Sequence, residues 1–440
     1  MITKLRHIWE ELRSSFWFLP GVMVILAVGL AFGLITLDAN FEMGMDERLP
    51  LLFGAGAAGA RGLLMTVASS MITVAGMVFS ITIVALTLTS SQYTSRVLRN
   101  FMRDRRNQMV LGVFVGIFAY CLVVLRTIRD GDEGAFVPSL AVMGGLMLAF
   151  VGIAFLIFFI HHISILIQAS NIIATAARET IEAIDHLYPE DPDDADDEDA
   201  SDRSVPSLEE QTWTALPAQR TGYIQSINSD GLLEFASKRS VIVRMQRSIG
   251  DFVAEGAALA TMNGDHTVDE ETTTALNAMY EIGRHRTVQQ DPGFGIRQLV
   301  DIALKALSPG INDTTTAVMC VDYLSAILAR LATRRIATPH RVDGETMRVI
   351  AKGPTFESLL AEAFDQIRQS AQGNVVVLTR QLVAIETIAD QTTSEPRRQS
   401  LRRHAELTRD VAERTISSPH DCACVNECSL RLLQILDDRC

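Results

Sequence analysis

Four long apolar stretches in the first 160 residues constrain the fold of this chain more than any other feature. Each is long enough to cross a bilayer as a helix, which takes about 20 residues. A lipid-exposed segment must satisfy its backbone hydrogen bonds internally, so helices are the expected structure. The first stretch is long for a signal peptide and no small-x-small cleavage site follows it, so a retained anchor is expected. The four stretches are Trp17–Leu37, Leu63–Thr89, Met109–Leu125 and Pro138–Ile160.

The composition divides the chain into a membrane half and a soluble half. Apolar residues make up 48% of the 440 and concentrate before residue 175, whereas charged residues concentrate after it. The net charge of -13 argues against nucleic acid as a partner. We expect a four-helix transmembrane domain at 1–175, a helix end and acidic flexible linker at 176–210, a small β-rich domain at 211–268 and a cytoplasmic helical domain at 269–440.

Basic residues alternate between the segments that flank the apolar stretches. The N-terminal flank and the loop over 96–106 are rich in Lys and Arg, while the segments 38–62 and 126–133 hold more acidic than basic residues. Cytoplasmic loops of membrane proteins carry the excess of Lys and Arg. Both termini are therefore expected in the cytoplasm.

A line of hydroxyl residues runs along the second apolar stretch. Thr66, Thr73, Ser80, Thr87 and Thr94 stand seven residues apart, a spacing that drifts only about 20° per heptad around a helix. In lipid, small and hydroxyl residues allow helices to approach closely and to form hydrogen bonds across the contact. A weakly polar lining also suits a water or ion path. A helix-packing seam and a pore wall both remain open interpretations of this face.

Arginines follow the hydroxyl line. They share one face if the helix continues, and they indicate either an anchor on anionic headgroups or a basic cytoplasmic collar that concentrates anions at a pore mouth. These residues are Arg96, Arg99, Arg103 and Arg106.

A histidine pair, His161 and His162, ends the fourth stretch. Neighbouring side chains point about 100° apart on a helix, so one metal cannot easily bind both. An interfacial structural role and a pH-responsive role are the two interpretations.

The soluble half begins with an acidic, proline-containing segment that is expected to be a flexible linker. Residues 220–262 have the short β-branched runs and glycines of strands and turns. Within them, GDFVAEGAAL resembles barrel-sandwich domains, but Lys238 lacks the context of a carrier lysine. Helical periodicity then predicts seven helices, at Thr272–Ile282, Gly295–Leu307, Thr314–Leu331, Thr355–Gln372, Val375–Asp390, Pro396–Ile416 and Leu430–Leu436.

Two short motifs in the helical region could carry chemistry. In SPGINDTTT, Asn312 or Asp313 is expected to cap a helix, with an anion-binding nest of amides as the alternative. In HDCACVNEC, a soft metal is an alternative to unpaired thiols, through His420, Cys422, Cys424 and Cys428. No cofactor is otherwise expected, and no local signature of a nucleophile–base pair nominates an enzyme.

Several strings resemble a known bacterial family of predicted membrane proteins, domain of unknown function 2254. They are GARGLLMTVASSMITVAGMVFSITIVALTLTSSQYTSR and the residues that follow it, DEGAFVPSLAV, FFIHHISILIQAS and IALKALSPGINDTTTA. The acidic linker and the C-terminal Cys cluster depart from the pattern. The resemblance implies a bacterial inner-membrane protein with four spans and a cytoplasmic C-terminal region, and it transfers no functional residues.

The expected fold class is therefore an α-helical integral membrane protein with four transmembrane helices and a cytoplasmic α+β region, a small β barrel-sandwich-like domain followed by a helical domain. Two functions remain open. One is a homo-oligomeric channel or transport-like pore with a cytoplasmic vestibule. The other is a non-conducting anchored scaffold or sensor that binds a cytosolic partner. The lipid bilayer, with its anionic headgroups, is a partner in both.

Overall fold

A computed structural model describes residues 17–40, 56–92, 105–129, 136–166, 168–190, 212–264, 269–336, 338–344 and 346–438. The chain forms two compact units, residues 1–171 and residues 172–440. Five of the described helices are long and apolar enough to cross a membrane: Phe18–Asn40, Ala57–Thr87, Arg105–Thr127, Ser139–Ile165 and Thr314–Ala332. The first four of these coincide with the apolar stretches that the sequence predicts.

Unit 1 is a bundle of four helices. They are α1 (Phe18–Asn40), α2 (Ala57–Gln92), α3 (Arg105–Thr127) and α4 (Ser139–Leu166). Helix α3 is the centre of the bundle, because it packs against each of the other three. The largest fully buried side chains of this unit include Leu64, Phe114, Tyr120 and Phe159.

Glycines allow the helices of unit 1 to approach closely. Gly112 and Gly116 of α3 are four residues apart and face α1: a Cβ on Gly116 would lie 3.4 Å from the Cβ of Ala27. Small residues at this spacing permit close backbone contact between membrane helices. On α4, a Cβ on Gly144 would lie 2.5 Å from the hydroxyl oxygen of Tyr120. That hydroxyl donates a hydrogen bond to the carbonyl of Ala141 at 2.7 Å, which fixes the ring against α4.

Two polar contacts join helix ends at one end of the bundle. The carboxylate of Asp38, near the end of α1, accepts hydrogen bonds from the backbone N–H groups of Leu140 (3.2 Å) and Ala141 (3.1 Å). These are orphan donors of the first turn of α4, so Asp38 caps a helix other than its own. Arg61 of α2 donates to the carbonyl of Ile128 at 3.0 Å, just beyond the end of α3.

Unit 2 begins with most of α5 (Ala169–Leu187), which packs on α8 (Pro292–Ala306). Glycine is required at position 295 because the side chain of Thr180 occupies the space that a Cβ would take. Asp185 then pairs with Arg330 (2.7 Å) and Arg334 (2.5 Å).

The β-rich region contains two sheets around one buried apolar cluster. The five-stranded sheet has the order β1-β5-β3-β8-β7 and the three-stranded sheet the order β4-β2-β6. All pairs are antiparallel except β3 with β8. The strands are β1 (Trp213–Pro217), β2 (Gly222–Ile227), β3 (Val243–Met245), β4 (Phe252–Val253), β5 (Ala258–Asn263), β6 (Tyr280–Gly283), β7 (His340–Asp343) and β8 (Thr346–Ile350).

Two short helices lie within the β-rich region, where the sequence analysis differs from the structure. The segment expected to be strand and turn contains α6 (Ser229–Arg239), which the Asn228 side chain caps by accepting from the N–H of Gly231. Lys238 lies on this helix in an ion pair with Glu234 at 2.5 Å, not at a hairpin tip. The helix expected at Thr272–Ile282 ends early, because α7 (Glu270–Asn277) is followed by strand β6.

The remaining helices form the core of unit 2. Besides α8 they are α9 (Thr314–Ala332), α10 (Phe356–Ser370), α11 (Val375–Ala389), α12 (Glu395–Thr415) and α13 (Pro419–Asp438). The predictions for α8 to α12 are confirmed to within two residues, apart from the start of α8, which lies three residues earlier. The helix predicted at Leu430–Leu436 is the end of α13, which begins eleven residues earlier. The hairpin β7–β8 was not predicted, although Gly344, at φ +62, directly follows β7, whose last residue Asp343 pairs with Thr346.

Candidate functional site

The hydroxyl face of α2 is exposed among the described residues, and at one end of it Thr66 lines a groove with Phe114 of α3 and Gly152 of α4. Thr66, Thr73, Ser80 and Thr87 are all exposed in the single chain. Ala75 stands nine residues after Thr66, about 180° around the helix, and belongs to the face that packs inside unit 1. The buried residues of that face are Ala60, Leu64, Ala68, Met71, Ala75, Val78, Thr82 and Ala85.

The hydroxyl groups of this face bond to their own helix. Thr66, Thr73 and Thr87 each donate to the carbonyl four residues earlier, at 2.8, 2.8 and 2.9 Å. The hydrogen of each hydroxyl is thereby used, while oxygen lone pairs stay available as acceptors. Gly62 and Gly76 lie on the same face and add no side chain to it. A Cβ on either would meet nothing within 4 Å, so the space above them is open. The face is therefore narrow, weakly polar and open to a neighbour.

The basic collar is only partly visible. Thr94, Arg96, Arg99 and Arg103 lie outside the described residues. Arg106 is exposed in the first turn of α3. The collar as a whole stays a prediction.

The two adjacent histidines of α4 face different surroundings. His161 is exposed, whereas His162 is buried and stacks on the ring of Phe158 with centroids 5.7 Å apart. Helix geometry separates them, as expected for neighbouring residues. Neither a pH response nor a structural role is tested by this arrangement.

The cysteine motif lies on a helix. His420, Cys422, Cys424 and Cys428 are all on α13, and the three cysteines are free thiols. Eight residues of helix separate the first from the last of these by about 12 Å, so they cannot converge as a short loop could. Among the described residues, no three His, Cys, Asp or Glu side chains stand close enough to hold a metal ion. A soft-metal site stays a prediction.

The SPGINDTTT motif forms the cap that the sequence analysis expects. The carboxylate of Asp313 accepts from the backbone N–H of Thr316 at 3.0 Å and from its hydroxyl at 2.6 Å. These bonds, led by that of the hydroxyl, hold the pKa of Asp313 below its usual range. A carboxylate thus occupies the N-terminus of α9, which disfavours the alternative of an anion nest.

A polar cleft between α10 and α12 is a second candidate site, and the sequence analysis did not identify it. Its volume is about 310 Å³. Helix α12 contributes Arg403, His404 and Leu407. The residues from α10 and its cap are Thr355, Glu357, Ser358, Ala361 and Asp365.

Buried polar atoms at the base of the cleft lack hydrogen-bond partners. His404 is 4% exposed, and its Nδ1 lies 3.6 Å from Oδ1 of Asp365. Both atoms are buried without a hydrogen bond, as is Nη1 of Arg368. Nη2 of Arg368 lies 2.8 Å from the same Asp365 oxygen and forms an ion pair with it. Buried polar groups normally find partners, so this cluster is unusual.

Burial controls the charge of the imidazole. Removal from water lowers the pKa of His404 to about 4, and the nearby carboxylate of Asp365 only partly opposes this effect. The imidazole is therefore neutral near pH 7, and one of its nitrogens is a hydrogen-bond acceptor. At the mouth of the cleft, Arg403 pairs with Glu357 at 3.0 Å, and both side chains are exposed.

The sequence contained part of the signal for this cleft. His404 lies in phase with the buried Leu401, Ala405 and Thr408 of α12, so its burial could be read from the helical period. Its contact with Asp365, 39 positions earlier, depends on how α10 and α12 pack, which the period does not give.

Comparison with known proteins identifies relatives along nearly the whole chain. An uncharacterized protein of Mycobacterium tuberculosis (strain CDC 1551) is 34% identical over 448 residues, which covers 99% of this chain and 84% of the relative. Uncharacterized proteins of Mycobacterium bovis and of another strain of M. tuberculosis match with the same identity and coverage. No solved structure gives a significant match. Residues 13–387 match the family model described as predicted membrane protein (DUF2254), and the chain belongs to this family.

Proposed function

We propose that this protein assembles from several copies into a membrane pore whose path is lined by the hydroxyl face of α2. The observation that supports the proposal is the exposure of Thr66, Thr73, Ser80 and Thr87 opposite the packed face of the same helix. Within the part of the chain that the structure describes, the other helices leave this face exposed. A second copy around a shared axis would turn it away from lipid.

The chemistry of the face suits passage of hydrated ions. The hydroxyls of Thr66, Thr73 and Thr87 use their hydrogens within the helix, so their oxygens present acceptor lone pairs outward. Several weak sites in a row allow an ion to enter and to leave again, which conduction requires. The described part of the face contains no charged residue that would trap an ion.

In this proposal the protein crosses the bacterial inner membrane four times, with both termini in the cytoplasm. Anionic headgroups then lie beside its basic loops. We place α9 outside the membrane despite its apolar length. Its residues Leu324, Ile327 and Leu328 are fully buried in unit 2, and its Asp322 pairs with Arg380 of α11. Unit 2, with a barrel-sandwich-like β region, would then form a cytoplasmic vestibule.

Ion flux through liposomes tests the proposal. Purified full-length protein should pass K⁺ or Cl⁻ in a dye-based flux assay, and Thr73→Leu should block the path because it fills the lumen with apolar volume. Thr82→Val is the matched control, since Thr82 lies on the packed face and donates to the carbonyl of Val78 at 2.7 Å. Absence of flux in the native protein at varied voltage and pH would overturn the proposal, as would equal flux in both variants.

Cysteine crosslinking tests the assembly separately. In a chain whose Cys422, Cys424, Cys428 and Cys440 are replaced by Ser, Ser80→Cys should give crosslinked dimers in native membranes. Phe79→Cys is the control, because adjacent positions point about 100° apart on a helix. Equal crosslinking at both positions, or none at Ser80→Cys, would contradict a shared axis.

The second candidate function is a non-conducting scaffold or sensor. The cleft between α10 and α12 favours it, because convergent polar groups in a cleft are a feature of ligand sites, and buried polar atoms at the base of this one lack hydrogen bonds. In that case the hydroxyl face is a packing seam, and Thr73→Val should preserve assembly. Assembly without flux would support this second function over a pore.

A further inference from the structure

The cleft between α10 and α12 has unused hydrogen-bonding capacity at its base. Oδ1 of Asp365 and Nδ1 of His404 are buried, 3.6 Å apart and without hydrogen bonds. A single donor group placed between them could bond to both. An ammonium, with three N–H donors, fits this pair of acceptors.

The charges around the cleft balance. Two carboxylates, Asp365 and Glu357, are matched by two guanidinium groups, Arg368 and Arg403. The remaining titratable group, His404, is neutral near pH 7 because burial lowers its pKa. A balanced site of this kind favours a ligand that carries both charges over a simple cation or a simple anion.

Arg403, at the mouth of the cleft, can bind the negative group of such a ligand. Arg403 is 69% exposed and Glu357 is 57% exposed in their ion pair. Pairs this exposed are weak and can exchange partners. Arg403 is therefore free to turn towards a carboxylate, while the buried acceptors hold the ammonium. The volume of about 310 Å³ is at the small end of the range for ligand pockets.

We propose that this cleft binds a small zwitterion of the α-amino-acid class, with its ammonium at Asp365 and His404 and its carboxylate at Arg403. The proposal goes beyond the pore and does not depend on it. A metal ion fits less well, because among the described residues no three His, Cys, Asp or Glu side chains stand close enough to hold one. A simple anion such as phosphate would meet two carboxylates.

Calorimetric titration of the full-length protein in detergent tests the ligand class. The probes are the standard α-amino acids, propylamine, propionate, ZnCl₂ and inorganic phosphate. At least one amino acid should bind saturably, propylamine about tenfold or more weakly, and propionate not at all, since a charge-assisted hydrogen bond accounts for about tenfold in affinity. The proposal is overturned if no amino acid saturates the protein up to about 10 mM, or if Zn²⁺ or phosphate binds in their place.

Variants locate the binding. His404→Gln should weaken amino-acid binding about tenfold, and Arg403→Gln should make the amino acid bind no better than propylamine. Arg402→Gln is the matched control, because the adjacent Arg402 pairs with Asp437 of α13 and does not line the cleft. Arg403 is exposed, so its variant keeps the test valid if His404→Gln does not fold. Equal binding in all three variants would place the ligand elsewhere and overturn the proposal. The titration measures binding and not flux, so its failure would leave the pore untouched, and absence of flux in liposomes would leave the titration valid.

Discussion

A Cβ on Gly112 would lie 3.0 Å from the Cα of Pro20, so α3 and α1 meet backbone to backbone at this point. Sδ of Met23 would be 2.7 Å from the same Cβ. Because lipid tails are as apolar as the side chains, membrane helices associate through close packing of this kind more than through burial of apolar area. Gly112 therefore sets the distance between two helices that share a large interface.

Gly112→Ala should destabilise unit 1. Met23 could move away from an added methyl group, but the backbone of Pro20 cannot, so the two helices must separate slightly. We expect a loss of about 1–3 kcal/mol, the usual cost of overpacking a close contact. Thermal unfolding of the detergent-solubilised protein would measure it. Gly33→Ala on α1 is the control, since a Cβ there meets nothing within 4 Å; equal shifts in the two variants would contradict the interpretation.

Asp38 should stabilise the start of α4. Replacing it with Ala removes the acceptor for the N–H groups of Leu140 and Ala141, and loss of an N-cap costs about 0.5–2 kcal/mol. Asp38→Asn keeps one acceptor oxygen and should cost less. Hydrogen exchange of residues 140 and 141 would report the effect, with faster exchange in Asp38→Ala. Unchanged exchange in that variant would show that the cap has no energetic role.

Arg398 should contribute more to the docking of α13 than Arg402 does. Arg398 is 3% exposed and donates to the carbonyls of Ile435 (3.2 Å) and Leu436 (2.5 Å) near the end of α13. Arg398→Gln should cost about 2–3 kcal/mol because it removes a buried, charged donor of two hydrogen bonds. Arg402 contacts the same helix, at Asp437, through an exposed pair, and Arg402→Gln should cost no more than about 1 kcal/mol. Protease sensitivity of α13 would rank the two, and the reverse order would refute this assignment.

The helices of this chain could be predicted from sequence because burial imposes a period or a continuous apolar run. The long runs gave α1 to α4, and apolar recurrence gave α8 to α12. The predictions were wrong where short elements of different type follow each other closely in sequence. Residues 229–239 form a helix of only eleven residues between strands, and their Ser-Asp-Gly start resembles a turn. Strand β6 follows α7 after a gap of two residues, so the helical recurrence of apolar residues in α7 appeared to continue through β6.

The candidate sites were less predictable because they depend on contacts between elements distant in sequence. The hydroxyl face could be predicted because its members recur at a regular spacing, and those that the structure describes, Thr66, Thr73, Ser80 and Thr87, lie on one helix. That it lies opposite the packed face became clear only from the positions of α3 and α4. The pairing of His404 with Asp365 joins two helices, and the approach of Gly112 to Pro20 joins two others. Periodicity within one helix contains no information about either.

Protonation of His404 should make unit 2 less stable in mild acid. In the unfolded chain a histidine has a pKa near its ordinary value of 6.5, whereas burial lowers the pKa of His404 in the folded chain to about 4. Between these two values the unfolded state binds one more proton than the folded state, so stability falls as pH falls. The loss of stability is absent above about pH 6.5, grows as pH falls and reaches at most about 3 kcal/mol near pH 4.

Thermal melting between about pH 7 and about pH 4.5 would detect this loss. His404→Gln removes the titrating group but not the polar contact surface, so its melting temperature should fall less steeply with pH than that of the native protein. His420→Gln is the control, because His420 is exposed on α13 and its removal should leave the native slope. Asp365, Glu357, Arg368 and Arg403 face the imidazole and are present in all three proteins. An identical slope in native protein and His404→Gln would mean that the imidazole is not buried in its neutral form.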